Sequence, residues 1–102
     1  METFLLRGTF TKEAFLTLLN GPLDYEIVFE KLLSECGVRM IAWFYSPSNS
    51  GWVSICEATP EQIAAVQLIN GATERKINFT AELLLSGSDI AKCVKAASIV
   101  KL

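Results

Sequence analysis

Histidine is absent from this sequence of 102 residues. Because histidine is the commonest general base and metal ligand in proteins, a Ser–His or Cys–His nucleophile is excluded. The three cysteines, Cys36, Cys56 and Cys93, are widely spaced and form no CxxC pair. That spacing predicts neither a disulfide framework nor a zinc site, and free thiols are typical of a reducing cytosol. We therefore expect no bound metal and no cofactor.

Long hydrophobic runs are also missing. The longest unbroken apolar stretch has six residues, from Met40 to Tyr45, whereas a helix needs about 20 to span a bilayer. The opening Met-Glu-Thr is acidic and lacks the positive segment of a signal peptide. The sequence therefore predicts a cytoplasmic protein that does not enter a membrane.

An excess of positive charge is likewise lacking. Nine basic residues stand against 11 acidic ones, for a net charge of −2. The basic residues are scattered, and only Arg75 and Lys76 are adjacent. Nucleic-acid binding depends on a basic footprint that neutralises phosphates, so we expect no nucleic-acid partner.

Apolar residues, by contrast, are abundant, at 51% of the chain. The length fits a single domain spanning residues 1–102, and a domain of this size buries only about 60–65% of its unfolded surface. Part of the apolar content must then lie in an oligomer interface or a ligand pocket. Of these two, oligomerisation is the simpler interpretation.

The pattern of apolar residues predicts an α+β fold. Period-two alternation indicates strands, helical spacing indicates helices, and Thr59 with Gln62 forms a capping box at one helix start. A short helical segment capped by Thr11 follows the first strand. Strands are expected near 2–10, 38–46, 52–58 and 76–85, and helices near 23–36, 60–70 and 88–98. This is the ferredoxin-like βαββαβ order with an extra final helix, and it predicts an antiparallel sheet ordered 4-1-3-2 with its helices on one face.

Three segments carry a family resemblance: FLLRGTFTKEAF, GVRMIAWFYS and GWVSICEATPEQIAAVQL. They resemble the GYD-domain family and a related group of small bacterial proteins of the dimeric α/β-barrel class. The resemblance implies a homodimer in which two ferredoxin-like sheets stack face to face. The Gly-Tyr-Asp element is replaced here by Ser50-Gly51-Trp52, so no role of its tyrosine and aspartate is carried over.

Alternation also divides each predicted strand between two faces. We expect the more aliphatic set to face the helices: Phe4, Leu6, Phe10, Val38, Met40, Ala42, Phe44, Val53, Ile55, Ile77, Phe79, Ala81 and Leu83. The open face would then carry Leu5, Arg7, Ile41, Trp43, Tyr45, Trp52, Ser54, Cys56, Thr80 and Glu82. A contiguous exposed apolar surface of that kind marks an interface or a ligand groove.

The candidate ligand-binding residues are the aromatic and charged members of that open face: Arg7, Trp43, Tyr45, Trp52 and Glu82. The aromatic rings suit either a small apolar molecule or subunit packing. Arg7 and Glu82 suit either an anion clamp or acid–base pair, or a structural cross-strand ion pair. Cys56 suits either a redox-active thiol or a buried structural one, and the structural interpretation is preferred because no basic residue lies near it in the sequence. No catalytic residue is predicted.

Three functions are compatible with these observations. The first is a non-catalytic homodimer whose cleft at the open sheet face binds a small apolar metabolite. The second is a small enzyme resembling the cofactor-independent monooxygenases built on the same dimeric barrel, an inference from fold alone. The third is a purely structural or regulatory subunit. The sequence favours a homodimer without catalysis and leaves the ligand's identity open.

Overall fold

The computed structural model describes residues 1–21, 24–72 and 78–101. The elements are β1 (Glu2–Thr9), α1 (Lys12–Asn20), α2 (Tyr25–Glu35), β2 (Arg39–Ser46), β3 (Gly51–Ala58), α3 (Pro60–Ala72), β4 (Asn78–Leu84) and α4 (Gly87–Ala97). The predicted strands and helices are confirmed to within three residues wherever they fall on described residues. The predicted first residue of α2, position 23, and the predicted start of β4, positions 76 and 77, lie outside them.

The four strands form one antiparallel sheet in the order β2-β3-β1-β4. This is the predicted order, and it confirms both the central hairpin and the crossovers on either side of it. The result is an open α+β sheet with four helices, an arrangement compatible with the ferredoxin-like fold.

Local capping explains where the helices begin and end. The Thr11 hydroxyl accepts a hydrogen bond from the backbone N–H of Ala14 at 3.1 Å, and Thr59 and Gln62 form the predicted reciprocal pair. Gly37 follows α2 with φ of +75°, the left-handed conformation that glycine adopts most readily. Helix α4 begins one residue before its predicted start, because Ser86 and Asp89 form its capping box.

The hydrophobic core lies between one face of the sheet and helices α1 to α3. Phe29 and Leu33 of α2 and Ile63 and Val66 of α3 are buried against the strands. At the centre lies Trp52, which is 1% exposed and whose ring centroid is 4.4 Å from that of Phe29. Residues of β1 and β3 that stand opposite each other in the ladder complete this layer: Phe4 with Cys56, Leu6 with Ser54, and Gly8 with Trp52.

The predicted face of β3 is therefore wrong. Trp52, Ser54 and Cys56 face the helices, and Val53 and Ile55 lie on the open face. Alternation divides the residues of β3 between two faces but does not show which face the helices cover. The prediction assigned Val53 and Ile55 to the helices because they are aliphatic. Trp52 fits on the helix-covered face because Gly8 stands opposite it and leaves room for the indole beneath α2.

The predicted faces of the middle of β2 are wrong for a second reason. The register with β3 shifts between Met40 and Ala42, so Ile41 is the extra residue of a β-bulge. A bulge puts two residues opposite one and reverses the alternation beyond it. Trp43 and Tyr45 consequently share the helix-covered face with Ser54 and Trp52, while Ala42 and Phe44 turn to the open face.

Helix α4 differs from the other helices, because every residue from 90 to 101 is exposed. The molecule measures 59 × 28 × 20 Å, with a radius of gyration of 16.5 Å. A compact domain of this length has a radius of about 13 Å. Within the described ranges, none of the helices combines the length and the hydropathy that a membrane crossing requires.

Candidate binding surface on the open face of the sheet

The cross-strand registers arrange the open face in rows that run from β2 to β4. One row holds Phe44, Val53, Arg7 and Thr80, and the next holds Ala42, Ile55, Leu5 and Glu82. A third row holds Arg39, Glu57, Thr3 and Leu84. Side chains at directly opposite positions lie within contact distance on the same face. The rows therefore define which groups a bound molecule or partner would meet together.

Apolar side chains occupy the β2–β3 side of this face. We call them the open-face patch: Leu5, Ala42, Phe44, Val53 and Ile55. Phe44 is 59% exposed, while the strand-centre members are half-buried by their neighbours. The face of an antiparallel sheet that meets water normally carries polar residues. A contiguous apolar patch in that position marks an interaction surface.

Charged and polar side chains occupy the opposite side and the end of the face. Arg7 stands opposite Thr80, and Glu82 stands opposite Leu5, so Arg7 and Glu82 are diagonal neighbours. The single ion pair among the described residues joins Arg39 Nη1 to Glu57 Oε2 at 3.4 Å. No described carboxylate lies within ion-pair distance of Arg7. Its exposed guanidinium is thus available to an external acceptor.

A shallow groove of about 550 Å³ lies beside Arg7, at the end of the sheet where β1 finishes and β4 begins. It is lined by Arg7, Gly8, Thr9, Asn49, Phe79 and Thr80. The groove combines one cation, hydrogen-bonding groups of the Thr and Asn type, and an aromatic ring. That composition suits a small molecule with an apolar part and one anionic group.

The five predicted ligand-binding residues are not brought together. Arg7 and Glu82 lie on the open face as expected, and Arg7 also lines the groove. Trp43, Tyr45 and Trp52 lie on the other face, where Trp43 packs 5.6 Å from Phe29 and Tyr45 stacks 6.0 Å from Phe10 by ring centroids. The predicted convergence of aromatic rings with Arg7 is therefore wrong.

Sequence reasoning placed four members of the open-face patch on the wrong face, namely Ala42, Phe44, Val53 and Ile55. The sequence feature that could have revealed these faces is Gly8. It follows Phe4 and Leu6 at every second position of β1, so it lies with them on the helix-covered face. A glycine at a core position requires a large residue opposite it, and Trp52 is that residue. This placement fixes Val53 and Ile55 on the open face.

Ser54 and Cys56 lie at the bulge, beneath the helices. The Ser54 hydroxyl donates to the carbonyl oxygen of Ala42 at 2.7 Å, which satisfies an acceptor that the bulge displaces from the regular ladder. Its oxygen also lies 3.4 Å from the Cys56 sulfur. Burial raises the pKa of the Cys56 thiol, and the Ser54 hydrogen bond opposes this only in part. Cys56 is thus a protonated structural thiol, as predicted.

In the described ranges no three Cys, Asp or Glu side chains come together as a metal site would require. The chain was also compared with protein-family models, with curated proteins and with solved structures, and none of them matches it. The resemblance to the GYD-domain family accordingly stays a prediction, and the open face is interpreted from its own chemistry.

Proposed function

We propose that this chain is a ferredoxin-like subunit of a non-catalytic homodimer, in which the open-face patch of one copy packs on that of another. The observation that carries the proposal is the patch itself, because Phe44 stands exposed beside Val53, with Ala42 and Ile55 in the next row of the same face. An isologous contact puts the same patch on both sides. The apolar groups of each copy would then supply the surface that the other needs.

Surface area supports the same proposal. The chain exposes 7078 Å², whereas a compact monomer of 11.2 kDa exposes about 5,700 Å². The excess exceeds the roughly 800 Å² that each partner contributes to a standard protein interface. The three free cysteines suit a reducing compartment, and we place the dimer in the cytoplasm.

Sedimentation velocity on Phe44→Glu tests the dimer. A carboxylate buried in an apolar interface costs several kcal/mol unless it is paired, so the variant should sediment as an 11.2 kDa monomer at concentrations where the wild type has twice that mass. Leu68→Glu is the matched control, because Leu68 is exposed on α3, away from the sheet face. A wild type that is monomeric at tens of micromolar would refute the proposal.

We also propose that the groove beside Arg7 binds a small molecule with an apolar body and one anionic group. The Arg7 guanidinium, which no described carboxylate pairs with, favours this, as does Phe79, which lines the groove and lies 6.0 Å from Trp52 by ring centroids. Trp52 emission should therefore report on binding. The alternative of a cofactor-independent monooxygenase rests on fold alone, and Trp43, Tyr45 and Trp52 lie on the sheet face opposite to that of Arg7.

A panel of hydrophobic carboxylates, titrated while tryptophan fluorescence is followed, tests the groove. Arg7→Gln should weaken any binding by about tenfold or more, the loss expected for one charge-assisted hydrogen bond. Arg39→Gln is the control, because Arg39 lies on the same face but is paired with Glu57. If no carboxylate alters the emission, or if both variants respond alike, the groove is not an anion site.

A further inference from the structure

Helix α4 presents a second apolar surface, which the other described residues of its own chain leave exposed. Ile90, Cys93, Val94 and Ala97 recur at the spacing of one helix face, and we call them the α4 stripe. Val94 is 63% exposed and Ile90 is 49% exposed. The apolar surface continues into Ile99 and Val100, which are also exposed.

The helix is well formed at its start but short. The Ser86 hydroxyl accepts from the Asp89 N–H at 3.0 Å, and the Asp89 carboxylate accepts from the Ser86 N–H at 3.0 Å. Hydrogen bonding from Ser86 lowers the pKa of Asp89, so the cap is intact at neutral pH. An isolated helix of fewer than about 12–15 residues is nevertheless marginal in water, and α4 has 11. Its persistence requires a surface to pack on.

The position of α4 keeps it away from its own core. Only Leu85 and Ser86 separate it from β4, an edge strand of the sheet. The exposure of residues 90–101 and the 59 Å length of the molecule show that the helix projects beyond the sheet. It accounts for part of the excess exposed area that a partner would have to cover.

The charges of the chain indicate what the partner is. Residues 87–102 carry three lysines and one aspartate, whereas residues 1–86 carry six basic and ten acidic side chains. A basic helix is thus attached to an acidic body. Packing of α4 against a second α4 would bring Lys92 and Lys95 towards their own copies, a repulsive arrangement. Packing against the acidic body of a second copy is attractive.

We infer that α4 is an exchange arm, which packs its stripe on the body of a second copy of this chain. The inference rests on the proposed homodimer and extends its interface beyond the open-face patch. Each copy would give one arm and receive one, as closed two-fold symmetry requires. The arm covers apolar surface on both chains while its lysines face the acidic body.

Val94→Glu tests the arm in the full-length chain. We expect the dimer dissociation constant, measured by sedimentation, to rise by about tenfold or more, because the new carboxylate meets both an apolar contact and an acidic body. Ala91→Glu adds the same charge to the same helix outside the stripe and should leave the dissociation constant within about threefold. Circular dichroism should show that both variants remain folded.

Alkylation of Cys93 with a maleimide gives a second readout, followed on its own peptide by mass spectrometry. Cys93 lies in the stripe and is exposed in the single chain, so its labelling should slow as dimer forms and should recover in Val94→Glu. Should the wild type dimerise while Val94→Glu dimerises equally well and Cys93 labels at one rate at every concentration, the arm is refuted and the homodimer stands. A monomeric wild type would overturn both.

Discussion

The two faces of the sheet, built from the same four strands, have opposite environments. Trp52 is 1% exposed and lies under α2, while its neighbour Val53 lies on the uncovered side between Phe44 and Arg7. The helix-covered face holds the large aromatic rings together with the small Ser54 and Gly8. The open face holds the apolar patch, which includes Phe44, and the charged side chains beside it, namely Arg7, Glu82 and the Arg39–Glu57 pair. Residue type alone thus does not separate a core from a contact surface, since both faces are apolar.

The two faces should differ most in the stability that is lost when one residue on each face is replaced by alanine. Trp52→Ala should lower the free energy of unfolding by about 3–5 kcal/mol, because it leaves a cavity against Phe29 and Phe79. Val53→Ala should cost about 1 kcal/mol or less, since its side chain has neighbours on one side only. Urea denaturation in the monomeric Phe44→Glu background measures both without a contribution from dimerisation. Equal losses would show that both faces are packed alike within one chain.

A second contrast is between a glycine where strands β1 and β3 approach each other closely and a glycine on the exposed surface of α3. A Cβ added at Gly51 would collide with the carbonyl oxygen of Gly8, whereas one added at Gly71 in α3 meets nothing within 4 Å. Gly51→Ala should therefore destabilise the fold by about 1–3 kcal/mol, and Gly71→Ala should stabilise it by about 0.5–1 kcal/mol. Thermal denaturation of both variants measures the difference. A neutral Gly51→Ala would mean that β1 and β3 separate easily.

Sequence reasoning succeeded where the signal is local. Period-two alternation located the strands, and caps at Thr11 and Thr59 located helix starts, because these features depend on neighbouring residues. The strand order followed from connection rules. The faces of β2 and β3 could not be predicted in the same way. The bulge at Ile41 is stabilised by Ser54 of another strand, and the place of Trp52 depends on Gly8, so both are consequences of pairing across the sheet.

The smallest expected effect is the pH dependence contributed by Cys56. Burial raises the pKa of this thiol above its ordinary value of 9.0, so the folded chain holds the proton more tightly than the unfolded chain does. The contribution of Cys56 to stability is thus complete below pH 9 and is lost as pH rises towards the folded pKa. Cys56→Ala should abolish the part of the fall in urea midpoint above pH 9 that comes from this thiol. If the urea midpoint falls equally in the variant, the loss of stability at high pH comes from other titratable groups.

The central claim is that a second copy covers the open face, and the methyl groups of Val53 and Ile55 report on it most directly. Their NMR signals can be followed while a soluble paramagnetic agent is added to wild type and to Phe44→Glu. The methyl groups of core residues Leu6 and Val66 serve as the buried reference. We expect the Val53 and Ile55 methyls to be shielded like that reference in the wild type and to be broadened strongly in Phe44→Glu. Equal broadening of Val53 and Ile55 in both proteins would contradict the claim.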